Sequence, residues 1–460
     1  MNRRTFLTGA SALTLAAAPR LNIVQILIDD MGYADLKSYG GEIETPNLDR
    51  LVSGSIRFTQ GYVASPVCSP SRVGITTGQC PSRHQIYSYL DSHDKNRNLA
   101  MRDYLELTAP SIARTFQKAG YATGHFGKWH MGGGRDVGDA PLPTEYGFDE
   151  SFTSFEGLGD RVLPPGRLSE LNEKLGRGKI THAPQAELTE LYVDRSIAFI
   201  HRSAQAKKPF YIHLWPNDVH DPFTPKPELM KKYQRYSSNL YQQQYFATID
   251  ELDRQIGRLI DAVDKAGLAA STLFILLSDN GPTAWPRYYK EGVEPPGSTG
   301  GLRGRKWSLY EGGIRVPFAV RWKGRIPSGR TDDRSIVSSL DLFPTCCRLA
   351  GIAPPNVEFD GEDMSAAFLG RPTERKKDLF WDYGRNATYV RPGLTKDQSP
   401  NLAIRSGRWK LLMNDDGSRI ELYDLARSPK EDTNIAADHP GIANKLSARL
   451  LAWRRGQHGL

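Results

Sequence analysis

An Asp-Asp pair, an Asp-Asn pair and one cysteine are the residues of this chain best suited to chemistry. Asp29-Asp30-Met31-Gly32 closes one apolar run, and Ser278-Asp279-Asn280-Gly281-Pro282 closes another. Either alone reads as a turn. Together, at the ends of two apolar strands, three carboxylates and an amide form an oxygen-rich set for a hard cation. Ca2+ tolerates irregular coordination, Mg2+ demands a tighter octahedron, and zinc would bring more His or Cys. The cysteine is Cys68, in Cys68-Ser69-Pro70-Ser71-Arg72, at the mouth of a helix started by proline. A helix N-terminus stabilises negative charge, so the position by itself predicts a thiolate.

A cationic set accompanies them. Gly127-Lys128-Trp129-His130 follows a short strand expected over Ala122 to Phe126, and Asn217-Asp218-Val219-His220 follows another. Gly304-Arg305-Lys306-Trp307 opens a loop that runs to Glu311-Gly312-Gly313-Ile314-Arg315-Val316-Pro317. Lys128 and His130 lie two apart in an extended, Gly-flanked stretch, which allows both to face one site. With Arg72 they can surround a tetrahedral anion beside a metal, which is electrostatic preorganisation for group transfer.

The elements that must position these residues form an α/β pattern. Asn22 to Ile28, Pro209 to Trp215 and Thr272 to Leu277 are near-continuous apolar runs, as expected of central parallel strands covered on both faces. Between them lie amphipathic helices such as Tyr245 to Val263. Strands alternating with helices predict a doubly wound sheet, whose ligands bind beyond the carboxyl ends of the strands. From 344 onward a smaller α+β region is expected, with a hairpin over 402–413, a strand near 420–424 and a last helix near 442–454.

Composition bounds the rest. The 460 residues suit one large domain with a smaller companion, and a net charge of +8 fits attraction to anions or plain solubility. No basic stripe points to nucleic acid. Met1-Asn2-Arg3-Arg4-Thr5-Phe6-Leu7 and the weakly apolar run to Ala18 read as a signal peptide of twin-arginine type over 1–18. Export to the periplasm or beyond is expected, with no stable membrane insertion, since the run is too short to span a bilayer. Among the four cysteines, Cys346 and Cys347 are adjacent in a helical pattern and Cys80 has no evident partner, so no disulfide framework is expected.

The ordered motifs resemble those of type I sulfatases, formylglycine-dependent members of the alkaline-phosphatase-like superfamily, similar to arylsulfatases and N-acetylgalactosamine-6-sulfatase. The matching residues are Asp29-Asp30-Met31-Gly32-Tyr33, Thr45-Pro46-Asn47-Leu48-Asp49, Cys68-Ser69-Pro70-Ser71-Arg72, Gly127-Lys128-Trp129-His130, Ser278-Asp279-Asn280-Gly281 and Gly312-Gly313-Ile314-Arg315-Val316-Pro317. The resemblance covers nearly the whole chain. It implies a mixed sheet flanked by helices in a catalytic domain over 19–343, and a C-terminal subdomain with a short antiparallel sheet over 344–460.

The resemblance further implies that a maturation enzyme oxidises Cys68 to the aldehyde formylglycine, whose hydrate attacks sulfur. It implies Ca2+, rather than Mg2+, on Asp29, Asp30, Cys68, Asp279 and Asn280. It implies sulfate held by Arg72, Lys128, His130, His220 and Lys306, with His220 or Lys306 as general acid, while Arg315 belongs to the framework. A sulfated saccharide is the expected substrate. Trp285 and Arg287 in one loop, Arg161 in another, and His84 with Tyr89, Asp91 and His93 after the Cys68 helix suit a sugar ring and a second anionic group. The alternatives are a phosphonate monoester or phosphodiester hydrolase using the same site, and an inactive carbohydrate-binding relative.

Overall fold

A computed structural model describes residues 20–166 and 170–458 of the chain. The expected signal peptide lies outside the described residues. The Asn22–Ile28 strand is buried along its whole length. It pairs in parallel with Phe210–Trp215 on one side and Thr272–Ser278 on the other. Ala122–Lys128 continues the parallel order beside Phe210–Trp215. Phe318–Trp322 runs antiparallel to Thr272–Ser278, so the ten-stranded sheet is mixed, as expected.

Alternation along the first strand divides its side chains between two cores. Val24, Ile26 and Ile28 join one core with the helices Leu188–Gln205 and Leu240–Lys265. Ile23 and Leu27 join the other with the helices Cys68–Thr77, Ile112–Lys118 and Leu342–Ala350. Each fully buried Ile or Leu contributes about 1.5–3 kcal/mol relative to exposure, which accounts for the apolar runs. The Leu342–Ala350 helix spans position 343/344 and packs Leu342, Phe343, Cys346 and Cys347 into this second core. All four cysteines are free and buried.

Four adjacent parallel strands therefore end together. The register pairs Ile28 with Ser278, which sets Asp29 beside Asp279. Lys128 is the last residue of its strand, two residues beyond the expected end. Gly127 permits this extension, because a Cβ there would lie 2.0 Å from the Trp215 carbonyl oxygen.

The small sheet is antiparallel in the order Leu379–Asp382, Leu402–Ser406, Trp409–Met413, Glu421–Asp424, and the helix Pro440–His458 packs against it. No helix among the described residues is long and apolar enough to cross a membrane. A buried ion cluster joins the small sheet to the short helix Glu311–Ile314 that precedes the Phe318–Trp322 strand. Lys410 Nζ, fully buried, lies 2.9 Å from Glu311 and 2.9 Å from Glu431. Burial alone would raise Glu311, but Lys410 and Arg315 outweigh it and hold the carboxyl down at about 2.

Removing one partner of a buried ion cluster leaves uncompensated charge, at about 3–5 kcal/mol. Lys410→Met is therefore expected to destabilise the folded chain by that order, read from denaturant unfolding. A loss below about 1 kcal/mol would show that the cluster contributes little.

Candidate active site

The strand ends bring three carboxylates into one buried place. Asp29 and Asp279 are fully buried and Asp30 nearly so. Asp279 Oδ1 accepts the Asp30 backbone N–H at 3.1 Å, and the Asn280 amide donates to Asp30 Oδ1 at 2.7 Å. Lys128 Nζ donates to Asp29 Oδ2 at 2.6 Å, and Lys306 Nζ to both oxygens of Asp30 at 2.6 and 2.8 Å. Burial pushes both carboxyls up, but Lys128 beside Asp29 and Lys306 beside Asp30, each with His220, outweigh it. Both stay below the usual carboxylate range. The site thus presents ionised oxygens.

Cys68 is the first residue of its helix, after Val67 in extended conformation. Its Sγ lies 3.5 Å from Asp29 Oδ1, 3.9 Å from Asp30 Oδ1 and 3.3 Å from Lys306 Nζ. Burial and then Asp279 push the thiol well above its ordinary value, despite Lys128 and Lys306. The helix start alone would favour a thiolate, and burial beside carboxylates opposes it. A helix N-terminus stabilises an anion by about 0.3–1 kcal/mol, too little against full burial beside carboxylates.

Arg72, one turn along the same helix, runs beneath the cysteine. Its Nε and Nη2 donate to Asp279 Oδ2 at 3.1 and 2.8 Å, and its Nη1 to the Lys128 carbonyl at 2.9 Å. Arg72 and Lys128 accordingly sit one layer behind the cavity and do not line it.

That cavity, of about 330 Å³, has Cys68, His130, His220 and Lys306 in its wall. A neighbouring one of about 250 Å³ shares Phe155 and His220 with it and reaches Asp29. His130 takes a left-handed backbone conformation (φ 54°), and its Nε2 donates to the Leu90 carbonyl at 3.2 Å. This bond fixes the tautomer and leaves Nδ1, buried and without a partner, as a lone-pair acceptor. Burial, then Lys128 and Arg72, hold this imidazole well below its usual range, so it is neutral. His220 donates its Nδ1 proton to the Asp221 carbonyl, and its Nε2 stands 3.6 Å from Asp30 Oδ2.

Donor atoms of Asp29, Asp30, Cys68 and His220 all lie within 4.8 Å of one another. Asn280 Oδ1 is buried beside them with no hydrogen-bond partner. An orphaned amide oxygen among ionised carboxylates fits a hard cation.

The remaining expected residues divide. Trp285 lines the cavity, its ring centroid 4.6 Å from that of Trp307, and Tyr89 and Asp91 line it too. Arg287 instead pairs with Asp221 at 2.6 Å. Arg161 is buried, reaching Asn172 at 3.3 Å and the Phe155 carbonyl. His84 sits on the short helix Pro81–His84, where burial lowers it to about 4. None of these three lines the cavity, and the half-buried His93 bonds Asp103 at 2.9 Å.

Sequence reasoning missed Phe155, Lys95 and Arg135. Phe155 places its ring 4.7 Å from Lys128 Nζ and 4.6 Å from the His130 ring. No sequence signal marks it. Arg135 follows Gly132-Gly133-Gly134, all at positive φ, a run that does signal a shaped loop. Arg315 holds the Thr59 carbonyl at 2.6 Å and Glu311 at 3.4 Å, in keeping with a framework role.

Comparison with known proteins gives this geometry its relatives. The family model described as Sulfatase matches residues 21–352, and that described as N-sulphoglucosamine sulphohydrolase, C-terminal, matches 304–456. Arylsulfatase A of Bos taurus is 32% identical, over 93% of this chain and 86% of its own length. The N-acetylgalactosamine-6-O-sulfatase of Bacteroides thetaiotaomicron is 27% identical, over 93% of this chain and 92% of its own. Among solved structures, Ps i-CgsB in complex with k-i-k-neocarrahexaose superposes with a TM-score of 0.77 at 25% identity, covering 95% of this chain and 93% of that one. The fold is alkaline-phosphatase-like. By family model and by relatives that span it almost end to end, the chain belongs to the sulfatase family and is a sulfuric ester hydrolase.

Proposed function

We propose that the chain removes sulfate from a sulfated carbohydrate, with Cys68 matured to formylglycine and a Ca2+ ion at the carboxylate cluster. The observation that carries this reading is the placing of Cys68 Sγ between Asp29, Asp30 and Lys306 in the cavity wall, where the thiol itself is suppressed. Relatives whose names specify an N-acetylgalactosamine sulfate or a neocarrahexaose complex support the carbohydrate. Twin-arginine export over 1–18, a catalytic domain over 19–343 and a C-terminal subdomain over 344–460 belong to the same proposal.

Asp29, Asp30, Asp279, Asn280 and the matured Cys68 would hold the cation, which supplies Lewis-acid polarisation of the sulfate oxygens. Matured Cys68 supplies, as the hydrated aldehyde, an oxygen nucleophile and a second hydroxyl that lets sulfate depart. Lys306 donates to the sulfate oxygens from the cavity wall, with His130 and His220 beside it. Arg72 and Lys128 fix Asp279 and Asp29 from behind and add positive potential. Lys306 holds its proton tightly, because the Asp30 carboxylate outweighs its burial. His220, its Nδ1 proton held by the Asp221 carbonyl, donates from Nε2 to the leaving oxygen only as the imidazolium, a form that burial and Lys306 disfavour, and Lys306 is the alternative donor. His130 Nδ1, open and neutral, accepts the proton whose loss releases sulfate. Phe155 keeps water from Lys128 and His130.

Matured enzyme, assayed with 4-nitrophenyl sulfate, defined sulfated saccharides, a phosphodiester and a phosphonate monoester, is expected to prefer a sulfated saccharide. Preference for the phosphonate would replace this reading, and binding without turnover of any ester would make the chain an idle relative. Intact mass should place active protein about 18 Da below the encoded sequence at Cys68, as a thiol becomes an aldehyde. Cys68→Ser should then give at most one turnover per molecule, and sustained turnover by that variant would sink the mechanism.

Dialysis against a chelator should abolish turnover, and Ca2+ should restore it. Added Ca2+ at a hundredfold excess over its Kd should also stabilise the fold by about 2.7 kcal/mol in thermal unfolding. Recovery with Zn2+ but not Ca2+ would reject the hard-cation site.

A further inference from the structure

Beyond the sulfate end, the cavity wall carries a compact ionic cluster. Asp91 lies between two cations. Lys95 Nζ donates to its Oδ2 at 3.0 Å, and Arg135 Nε stands 3.1 Å from its Oδ1. The same Oδ1 accepts the Ser92 backbone N–H at 2.8 Å. Arg135 Nε also donates to the buried Glu156 at 2.7 Å, which fixes the guanidinium on its glycine-built loop. Lys95 is held a second time, 4.5 Å above the Tyr89 ring. Asp91, Lys95, Arg135 and Tyr89 all face the cavity that contains Cys68.

This cluster discriminates between two kinds of group. A hydroxyl donates and accepts at once, so it can give its hydrogen to an oxygen of Asp91 and take one from Lys95 or Arg135. A carboxylate or second sulfate only accepts, and it meets the Asp91 carboxylate that already occupies the space between the two cations. Like charges in a partly desolvated wall repel strongly. The basic residues expected to take a second anion are committed elsewhere, Arg161 to Asn172 and Arg287 to Asp221. At about 330 Å³ the cavity is at the small end of ligand pockets, which suits one ring with its sulfate.

We propose that Asp91, with Lys95 and Arg135, reads the hydroxyl groups of a sugar ring whose sole charge is the scissile sulfate, and rejects a ring bearing a second anionic substituent. This rests on the carbohydrate sulfatase reading above. Trp285 and Tyr89 supply apolar surface for the C–H faces of that ring.

The test measures kcat/KM of matured enzyme on a monosulfated N-acetylhexosamine, its doubly sulfated counterpart, and 4-nitrophenyl sulfate as a reference without ring hydroxyls. Wild type should favour the monosulfated sugar over the doubly sulfated one by at least about tenfold. A hydrogen bond to a charged group governs such ratios, so Asp91→Asn should lower the monosulfated-sugar to aryl-sulfate ratio by about 10–100-fold. It should also narrow the discrimination against the second sulfate. Arg135→Gln should lower the same ratio, and residual aryl sulfate turnover reports that each variant is folded and matured. Preference for the doubly sulfated sugar, or an unchanged ratio in both variants, overturns this inference alone. A variant with wild-type melting but no turnover of either ester moves that residue to the catalytic centre and overturns it equally. No turnover of any sulfate ester by wild type removes the sulfatase reading and this inference with it.

Discussion

Three carboxylates buried side by side are the constraint on which the rest of this molecule depends. Taking one such ion out of water costs several kcal/mol even after relaxation, and neighbouring like charges add to that. Asp29, Asp30 and Asp279 persist as a group because three cations from three different elements meet them. Arg72 comes from the Cys68 helix, Lys128 from a strand end and Lys306 from a loop. Each motif is therefore a counter-charge to another. Losing any one leaves an unpaired ion in the interior.

The same constraint decides what Cys68 is suited to. A cysteine at a helix start ordinarily gains thiolate character, but here the helix buries it beside carboxylates, which favours the protonated thiol. Burial and the neighbouring carboxylates thus disfavour the thiolate at the position around which the site is organised. His130 shows the complementary effect. The cations that balance the carboxylates also depress its imidazole, and the Leu90 carbonyl ties up one nitrogen, so a neutral base stands open in a positively charged wall.

Legibility followed distance along the chain. Strand ends were readable because apolar runs and the Asp-Asp and Asp-Asn pairs that follow them are local, and the parallel register then had to set Asp29 beside Asp279. The cationic set was readable only as an ordered group of motifs. What could not be read was direction. Arg161, Arg287 and His84 have suitable side chains, yet each turns to a partner distant in sequence or is buried elsewhere. Arg135 and Lys95 reach the cavity through a glycine-shaped loop and a short helix whose orientation no periodicity encodes. Lys128 was placed in a loop because nothing local shows that Gly127 lets the strand run on against Trp215.

The loop carrying Lys306 explains why the family pattern extends through the whole chain. On one side it is pressed against the strand-end motif. A Cβ on Gly281 would lie 1.9 Å from the Gly312 carbonyl oxygen, and the Gly281 N–H donates to Gly313 at 2.9 Å. On the other side Glu311 is gripped by Lys410 from the small sheet. Lys306 is thus located by contacts from both layers, and the stretch beginning at 304 is shared by the two matching family models. The C-terminal sheet lies outside the cavity wall that holds Cys68, His130, His220 and Lys306, but without it the loop would lose the charge that anchors its far end. In this fold the small sheet reaches the Lys306 loop through the Lys410–Glu311 ion pair.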